Sequence, residues 1–332
     1  NQYLDGICPQ KSGMDSCVIP KAYEYFMASG FENTSNYIHT INDSRIIGDI
    51  VAEHFNNRNR LYFSSLKEVT DIFCVPFVIL YLDKIVKLVK QNNYDGILFP
   101  ARDGYILKEL YDVIAERYSL CRNTYYLASS RKMMVRTGIE NRNDLEYSYK
   151  YAKLIEKPIQ NLYGLAPEDI RCADVFANIQ LCENLIENRS AQTKEKYKTY
   201  LRYCGINLKG SYLLCELNGQ GTTQYYLSRF FSHHLDSVYL VRWHNGDALK
   251  STAVYDFFTE NERYSCLNYR FDILESFFSA PHPSIIDLTD NLSPIYSHDN
   301  RSERQINAMK KMQEYAKRNV LKFFNDADRK ST

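Results

Sequence analysis

A short apolar run, Gly96-Ile97-Leu98-Phe99, is followed at once by a loop from Pro100 to Gly104 and then by a helical apolar period over 105–118. The same succession recurs. A second apolar run over 124–128 ends in Ser129-Ser130-Arg131-Lys132, a third over 211–215 leads through a glycine-bearing segment, 216–223, into a helical stretch over 224–233, and a fourth covers 237–242. A parallel strand pair needs a long crossover, and an intervening helix supplies it, so this order predicts βαβ units around a parallel sheet. The fold class expected is therefore α/β, with a parallel-sheet core and large helical additions.

The additions are read from period and punctuation. Over 44–93 the apolar positions fall at helical spacing: Ile46, Ile50, Val51 and His54 share one face, and Leu66, Val69, Phe73, Phe77, Leu80, Ile85 and Leu88 continue it. A bend is expected at Pro76 and an end at Asn92-Asn93. Residues 144–202 are helical again, interrupted near Pro158 and over 164–167, with Gly205 as a C-terminal cap. A helix over 271–278 and a last one over 302–325 follow, the latter opened by a Ser302/Gln305 capping box. The expected division is 1–93 as an N-terminal helical region, 94–143 and 206–290 as the α/β core, 144–205 as a helical insertion and 291–332 as a C-terminal helix. Residues 1–43 show little period, and the start at Asn1 suggests a fragment of a longer protein.

Composition removes several function classes. With 45% apolar and 24% charged residues in 332, the chain has ample material for a core. A net charge of +1 lacks the basic excess of a nucleic-acid binder. Nine cysteines without a CxxC pair, and a His233-His234 pair with no acid or cysteine cluster beside it, point to reduced cytoplasmic thiols and away from structural zinc. The most apolar run, 72–82, is too short to span a bilayer and contains Pro76, so no transmembrane segment is expected. Aromatic rings are abundant, with 28 Tyr and 17 Phe, a composition that suits carbohydrate surfaces as well as cores. The stripe Met309, Met312, Ala316, Val320 and Phe323 has basic residues around it, and docking on the core is favoured over a membrane surface.

In open α/β sheets ligands bind beyond the carboxyl ends of the strands, so the residues following each strand carry the chemistry. After the first come Arg102, Asp103 and Gly104: a forked cation, a carboxylate and a residue that lets the backbone turn closely, together suited to a phosphate or pyrophosphate. After the second, Ser130, Arg131 and Lys132 put cations at a helix start, where the helix dipole disfavours them unless an anion is bound. After the third, Glu216, Asn218, Gly219, Gln220, Gly221, Thr222 and Thr223 combine an acceptor for sugar hydroxyls with glycines and hydroxyls for a phosphate. No Gly-Lys-Ser or Gly-Lys-Thr follows, and the glycine spacing is not that of a dinucleotide fingerprint.

These residues resemble type I phosphoribosyltransferases, in which a strand ending in paired acids precedes a Thr-Gly-any-Thr phosphate loop. Glu216 takes the place of the second acid and Gln220-Gly221-Thr222-Thr223 that of the loop, while Cys215 stands for the first acid and Gln220 for the first Thr. Over 48–324 the chain resembles the glycan phosphoribosyltransferases of bacterial polysaccharide and lipopolysaccharide O-antigen biosynthesis. The likeness rests on 99–106 with Arg102-Asp103-Gly104, on Ser130-Arg131, on 219–224, and on the segment from Leu274-Glu275-Ser276 to Ala280-Pro281.

The resemblance implies a phosphoribosyltransferase-like core. It also implies transfer of 5-phosphoribosyl from phosphoribosyl pyrophosphate to a hydroxyl of an oligosaccharide or lipid-linked glycan, with Mg²⁺ bound through the pyrophosphate. The pyrophosphate would lie at Arg102, Gly104, Arg131 and Lys132, and the 5-phosphate at Asn218, Gly219, Gln220, Gly221, Thr222 and Thr223. Asp103, with Glu275 second, would be the general base, and Glu216 would hold the ribose. A haloacid-dehalogenase-type phosphatase would be the partner that leaves ribofuranose, in the cytoplasm at the inner face of the bacterial membrane. Two other readings fit the same residues: a nucleobase-type phosphoribosyltransferase, separated by purine and pyrimidine assays, and a non-catalytic scaffolding domain, separated by failure to bind the donor.

Overall fold

The computed structural model describes residues 6–16, 65–154, 163, 179–219, 221–233, 235–243, 250–256 and 266–329. The features expected at Ile46, Ile50, Val51 and His54, at Pro158 and over 164–167 lie outside them. After a short helix α1 (Cys8–Lys11), a long helical run begins at Ser65, whose side chain accepts from the Glu68 amide. It comprises α2 (Leu66–Val69), a π-helical segment (Thr70–Cys74) and α3 (Val75–Gln91). Pro76 stands in the first turn of α3. In a tighter helix its ring would collide with the carbonyl four residues earlier, and the wide π turn ahead of it relieves that conflict. The expected bend thus takes the form of a widened turn.

Five parallel strands form the sheet: β1 (Gly96–Pro100), β2 (Thr124–Leu127), β3 (Tyr212–Gly219), β4 (Leu235–Arg242) and β5 (Ser251–Asp256), in the order β2-β1-β3-β4-β5. The sequence reading contained the first four; β5 is an additional edge strand. Pairing of Ile97 with Leu213 and of Leu98 with Leu214 sets the central register. Alternation along the strands then sends Ile97, Phe99, Leu213, Cys215 and Leu217 to one core, and Leu98, Leu127, Tyr212 and Leu214 to the other. A separate antiparallel hairpin, β6 (Ile285–Leu288) with β7 (Pro294–Tyr296), lies later in the chain.

The first core is closed by α3, by α4 (Gly104–Arg117), by α9 (Cys266–Phe278) and by α10 (Glu303–Arg329). The capping box at the start of α10 is present, with the Ser302 amide donating to Gln305 Oε1 and the Gln305 amide to Ser302 Oγ. Of the stripe, Met309, Met312, Ala316 and Val320 are buried and Phe323 is half-buried against this core, to which its neighbour Phe324 belongs. That face is therefore covered by protein. Gln313 donates to the carbonyls of Phe277 and Ser279, satisfying the end of α9 and fixing it to α10.

The second face is covered by α5 (Arg131–Gly138), α6 (Arg142–Leu154), α7 (Ile179–Tyr203) and α8 (Thr222–Ser228). Gly205 ends α7 at φ +80, as a left-handed C-terminal residue should. Among the described residues no helix is long and apolar enough to cross a membrane.

Helices α5 and α8 approach closely because Gly138 has no side chain: an added Cβ would stand 1.9 Å from Tyr226 Cδ1. Gly138→Ala is expected to lower stability by about 2–4 kcal/mol, since neither the helix nor the buried ring has room to yield. Urea unfolding measures it, and an unchanged midpoint would refute this account of the contact.

Candidate active site

Helix α4 follows β1 onto the first core and α8 follows β3 onto the second. The chain thus departs to opposite sides from neighbouring strands, and a crevice is left between their carboxyl ends. Three segments meet there. In the first, the Ala101 amide donates to the Leu127 carbonyl, the Ala101–Arg102 peptide is cis, and Gly104 opens α4. A Cβ on Gly104 would lie 2.7 Å from the Phe99 carbonyl carbon, so only glycine lets the helix start this close to the strand.

In the second segment, the Ser130 side chain accepts from the Met133 amide and caps α5, which places Arg131 in its first turn. The strand end before it is held by the inserted helices, because the Ala128 amide donates to the Tyr200 hydroxyl at 2.8 Å.

The third segment differs from expectation. Glu216, Leu217, Asn218 and Gly219 continue β3 rather than forming a loop; Glu216 pairs with Tyr239, Asn218 with Val241 and Gly219 with Arg242. Only 220–221 connect β3 to α8, with Gly221 at φ +86 in the left-handed region. The length of β4 is the reason, since its amides and carbonyls extend past Tyr239 and pair with whatever lies beside them.

These segments enclose a polar pocket of about 300 Å³. Of the expected site residues, Arg102, Asp103, Arg131, Glu216, Asn218, Thr223 and Glu275 line it, Glu275 coming from α9. Gly104, Gly219, Gly221 and Thr222 shape the backbone behind the walls, and Lys132 does not line the pocket. Gln220 lies outside the described residues. The β6 hairpin closes one side through Ser284 and Ile285.

Carboxylates and guanidiniums share this space, and their balance is tense. Burial pushes the Asp103 carboxyl up to about 6, with the nearby Glu275 charge adding to the rise while Arg102 and Arg131 oppose it. Burial likewise pushes Glu216 up to about 7, against the stabilising hydroxyls of Thr223 and Tyr239 and the charge of Arg131; the Asp103 charge raises it further. Glu216 Oε2 is buried with no hydrogen-bond partner. The Arg102 carbonyl accepts from the Tyr105 amide, and its side chain makes no hydrogen bond or ion pair with a described residue. Among the described residues no group of three or more His, Cys, Asp or Glu side chains could by itself hold a metal ion. The arrangement can therefore accept hydroxyl donors at Glu216, hold an anion between two guanidiniums, and move a proton at Asp103 near neutral pH.

Two contributors escaped the sequence reading. Tyr239 faces Glu216 only because β4 lies beside β3, and strand order was not legible. Tyr126 reaches His282 Nε2 at 2.7 Å, and His282 Nδ1 lies 2.7 Å from the Pro283 carbonyl. A carbonyl only accepts, so Nδ1 carries a proton, and in the neutral tautomer Tyr126 donates to Nε2. Scanned against models of known protein families the chain matches none, and no curated protein matches it.

The raised carboxyls have a consequence for stability. Asp103 and Glu216 ordinarily titrate at 3.8 and 4.5 and do so here at about 6 and 7, so the folded state holds these protons more tightly than the unfolded chain. Their ionisation therefore weakens the fold as pH rises from about 4 through 7. Glu216→Gln is expected to gain on the natural protein by about 1–2 kcal/mol between pH 5 and pH 8. Urea unfolding at both values tests it; an equal difference at the two would contradict the assignment.

Proposed function

We propose that the chain is a phosphoribosyltransferase-like enzyme that transfers 5-phosphoribosyl from phosphoribosyl pyrophosphate to a hydroxyl of a glycan. The observation that carries the reading is the convergence of the first, second and third strand ends on one pocket, with Arg102 and Arg131 set against Asp103 and Glu216. A donor bearing phosphate at both ends of a sugar needs cations at one side, hydroxyl acceptors in the middle and small polar groups at the other. Arg102 and Arg131 would hold the pyrophosphate as forked donors. Glu216, whose Oε2 lacks a partner, would accept from the ribose hydroxyls. Asn218 and Thr223, with the backbone around Gly221, would meet the 5-phosphate.

Mg²⁺ fits these residues. Uncompensated carboxylate oxygens beside phosphate-holding arginines are the hard donors that this ion shares with a substrate's phosphates. Glu216 is the residue that would share it, and the ion would supply neutralisation of the leaving pyrophosphate.

In the reaction the acceptor oxygen forms a bond to C1 of the ribose as the bond from C1 to the pyrophosphate oxygen breaks, its electron pair leaving with pyrophosphate. The hydroxyl proton passes to the Asp103 carboxylate. An acid titrating at about 6 is largely ionised at neutral pH yet still basic enough to take that proton, which suits a general base. Arg102 and Arg131 stabilise the charge that grows on the leaving group.

The test mixes protein, phosphoribosyl pyrophosphate, Mg²⁺ and oligosaccharides. Expected are acceptor-dependent pyrophosphate release and a glycan heavier by one phosphoribosyl unit by mass spectrometry. Release indifferent to the acceptor would sink the reading, and transfer to purines or pyrimidines would replace its acceptor. Arg102→Ala and Arg131→Ala should each weaken donor binding about 10–100-fold by calorimetry. Asp103→Asn should lower turnover about 100-fold with a smaller effect on donor affinity.

A further inference from the structure

A second cavity, of about 390 Å³, opens between α9 and α10. It falls in the size range of small-molecule sites. Arg102 and Glu275 line it, and the same two residues line the 300 Å³ pocket, so the two spaces meet at a shared partition. A ligand seated here would have one edge at that partition, next to Asp103 on the other side. The first pocket has no volume to spare for this role if it holds a sugar with phosphates at both ends.

The walls of this cavity differ in chemistry from those of the first pocket. Met309 and Met312, both buried, form an apolar floor, and Asp272, Ser276 and Gln305 supply polar groups at the wall. Thioether and methylene surfaces suit the C–H face of a pyranose, and carboxylates and amides suit its hydroxyl edge. Arg301 also lines the cavity, yet its guanidinium is already engaged: it pairs with both oxygens of Asp299 and donates to the carbonyls of Ala280 and His282. It has no open fork for an anion. Among the described residues Arg102 is the one cation of this wall left open, and Asp272 and Glu275, which make no ion pair with a described residue, outweigh it; that balance favours a ligand that donates hydroxyls over one that carries negative charge.

We infer that this cavity is the acceptor subsite, taking a neutral hexose-type sugar whose reactive hydroxyl reaches the donor pocket across the Arg102–Glu275 partition. Glu275 accepts from that hydroxyl and aims it, while Asp103 takes its proton. The placement of the reactive hydroxyl rests on the transferase reading; the sugar specificity of the cavity stands on its own walls.

The experiment separates the two. Binding of oligosaccharides ending in neutral hexose, N-acetylhexosamine or acidic sugar is followed by saturation-transfer NMR for the natural protein, Ala308→Trp and Asp272→Asn. Affinity for phosphoribosyl pyrophosphate is measured separately by calorimetry. Ala308 lines this cavity and not the first, so tryptophan fills the space, and Asp272→Asn alters an exposed wall group without demanding room. Expected is binding of a neutral-sugar glycan, weakened about tenfold or more in both variants, with donor affinity kept within about twofold. Glycan binding unchanged in both variants, binding of acidic sugars alone, or no glycan binding overturns the inference. Variant-sensitive glycan binding without donor binding supports the cavity's role and removes the transferase reading instead.

Discussion

The order of the strands governs everything at the site. With β3 on one side of β1 and β2 on the other, the chain must leave β1 and β3 toward opposite faces, since each right-handed crossover returns to its own side. The helices obey: α4 packs into the core with Phe99, and α8 into the core with Leu214. Between two departing segments nothing fills the space above the β1–β3 boundary, and the pocket is that gap. Its lining is polar because Arg102, Asp103, Ser130 and Arg131 follow strands, where the backbone has stopped pairing, and because Glu216 and Asn218 stand at the carboxyl end of β3, where the side chains meet the gap.

The same gap explains the electrostatics. Asp103 and Glu216 lie where burial opposes their ionisation; the Glu275 charge raises Asp103 further and the Asp103 charge raises Glu216, while Arg131 lowers both. A fold selected for stability alone would place apolar groups at such positions or pair each charge fully. Perturbed acids clustered in a cleft are the usual mark of a working site, and here the disturbance is shared by residues from three separate strand ends. Stability has been given up locally where a ligand would restore the balance of charge.

Much of this was legible in the residues and some was not. The runs at 96–99 and 124–128 read as strands because apolar stretches stop abruptly at Pro100 and Ser129. Ser251–Asp256 did not, since an edge strand is half exposed and only Val254 and Tyr255 in it are strongly β-forming apolar residues. Asn218 and Gly219 read as a loop by local preference, and pairing with the long β4 overrode that preference. Arg102, Asp103, Arg131 and Glu216 were found because the rule that ligands sit after strands needs no knowledge of strand order. Tyr239 and the cavity beside Met309 needed that knowledge, because both arise from elements far apart in the chain that meet only after folding.

The bond from the Asn319 side chain to Asp71 joins positions 248 residues apart, and Met312 and Val320 lie in the same core as Phe73 and Phe77. Closing so large a loop is slow and comes late, because its entropy is lost before its contacts are gained. During synthesis the sheet and its strand-end arginines emerge well before α10. Helix α9 cannot receive the Gln313 contacts until α10 is made, so the second cavity, whose walls include both helices, forms after the sheet. The helical cover of the first core is thus complete only once residues from the first and last thirds of this sequence have met.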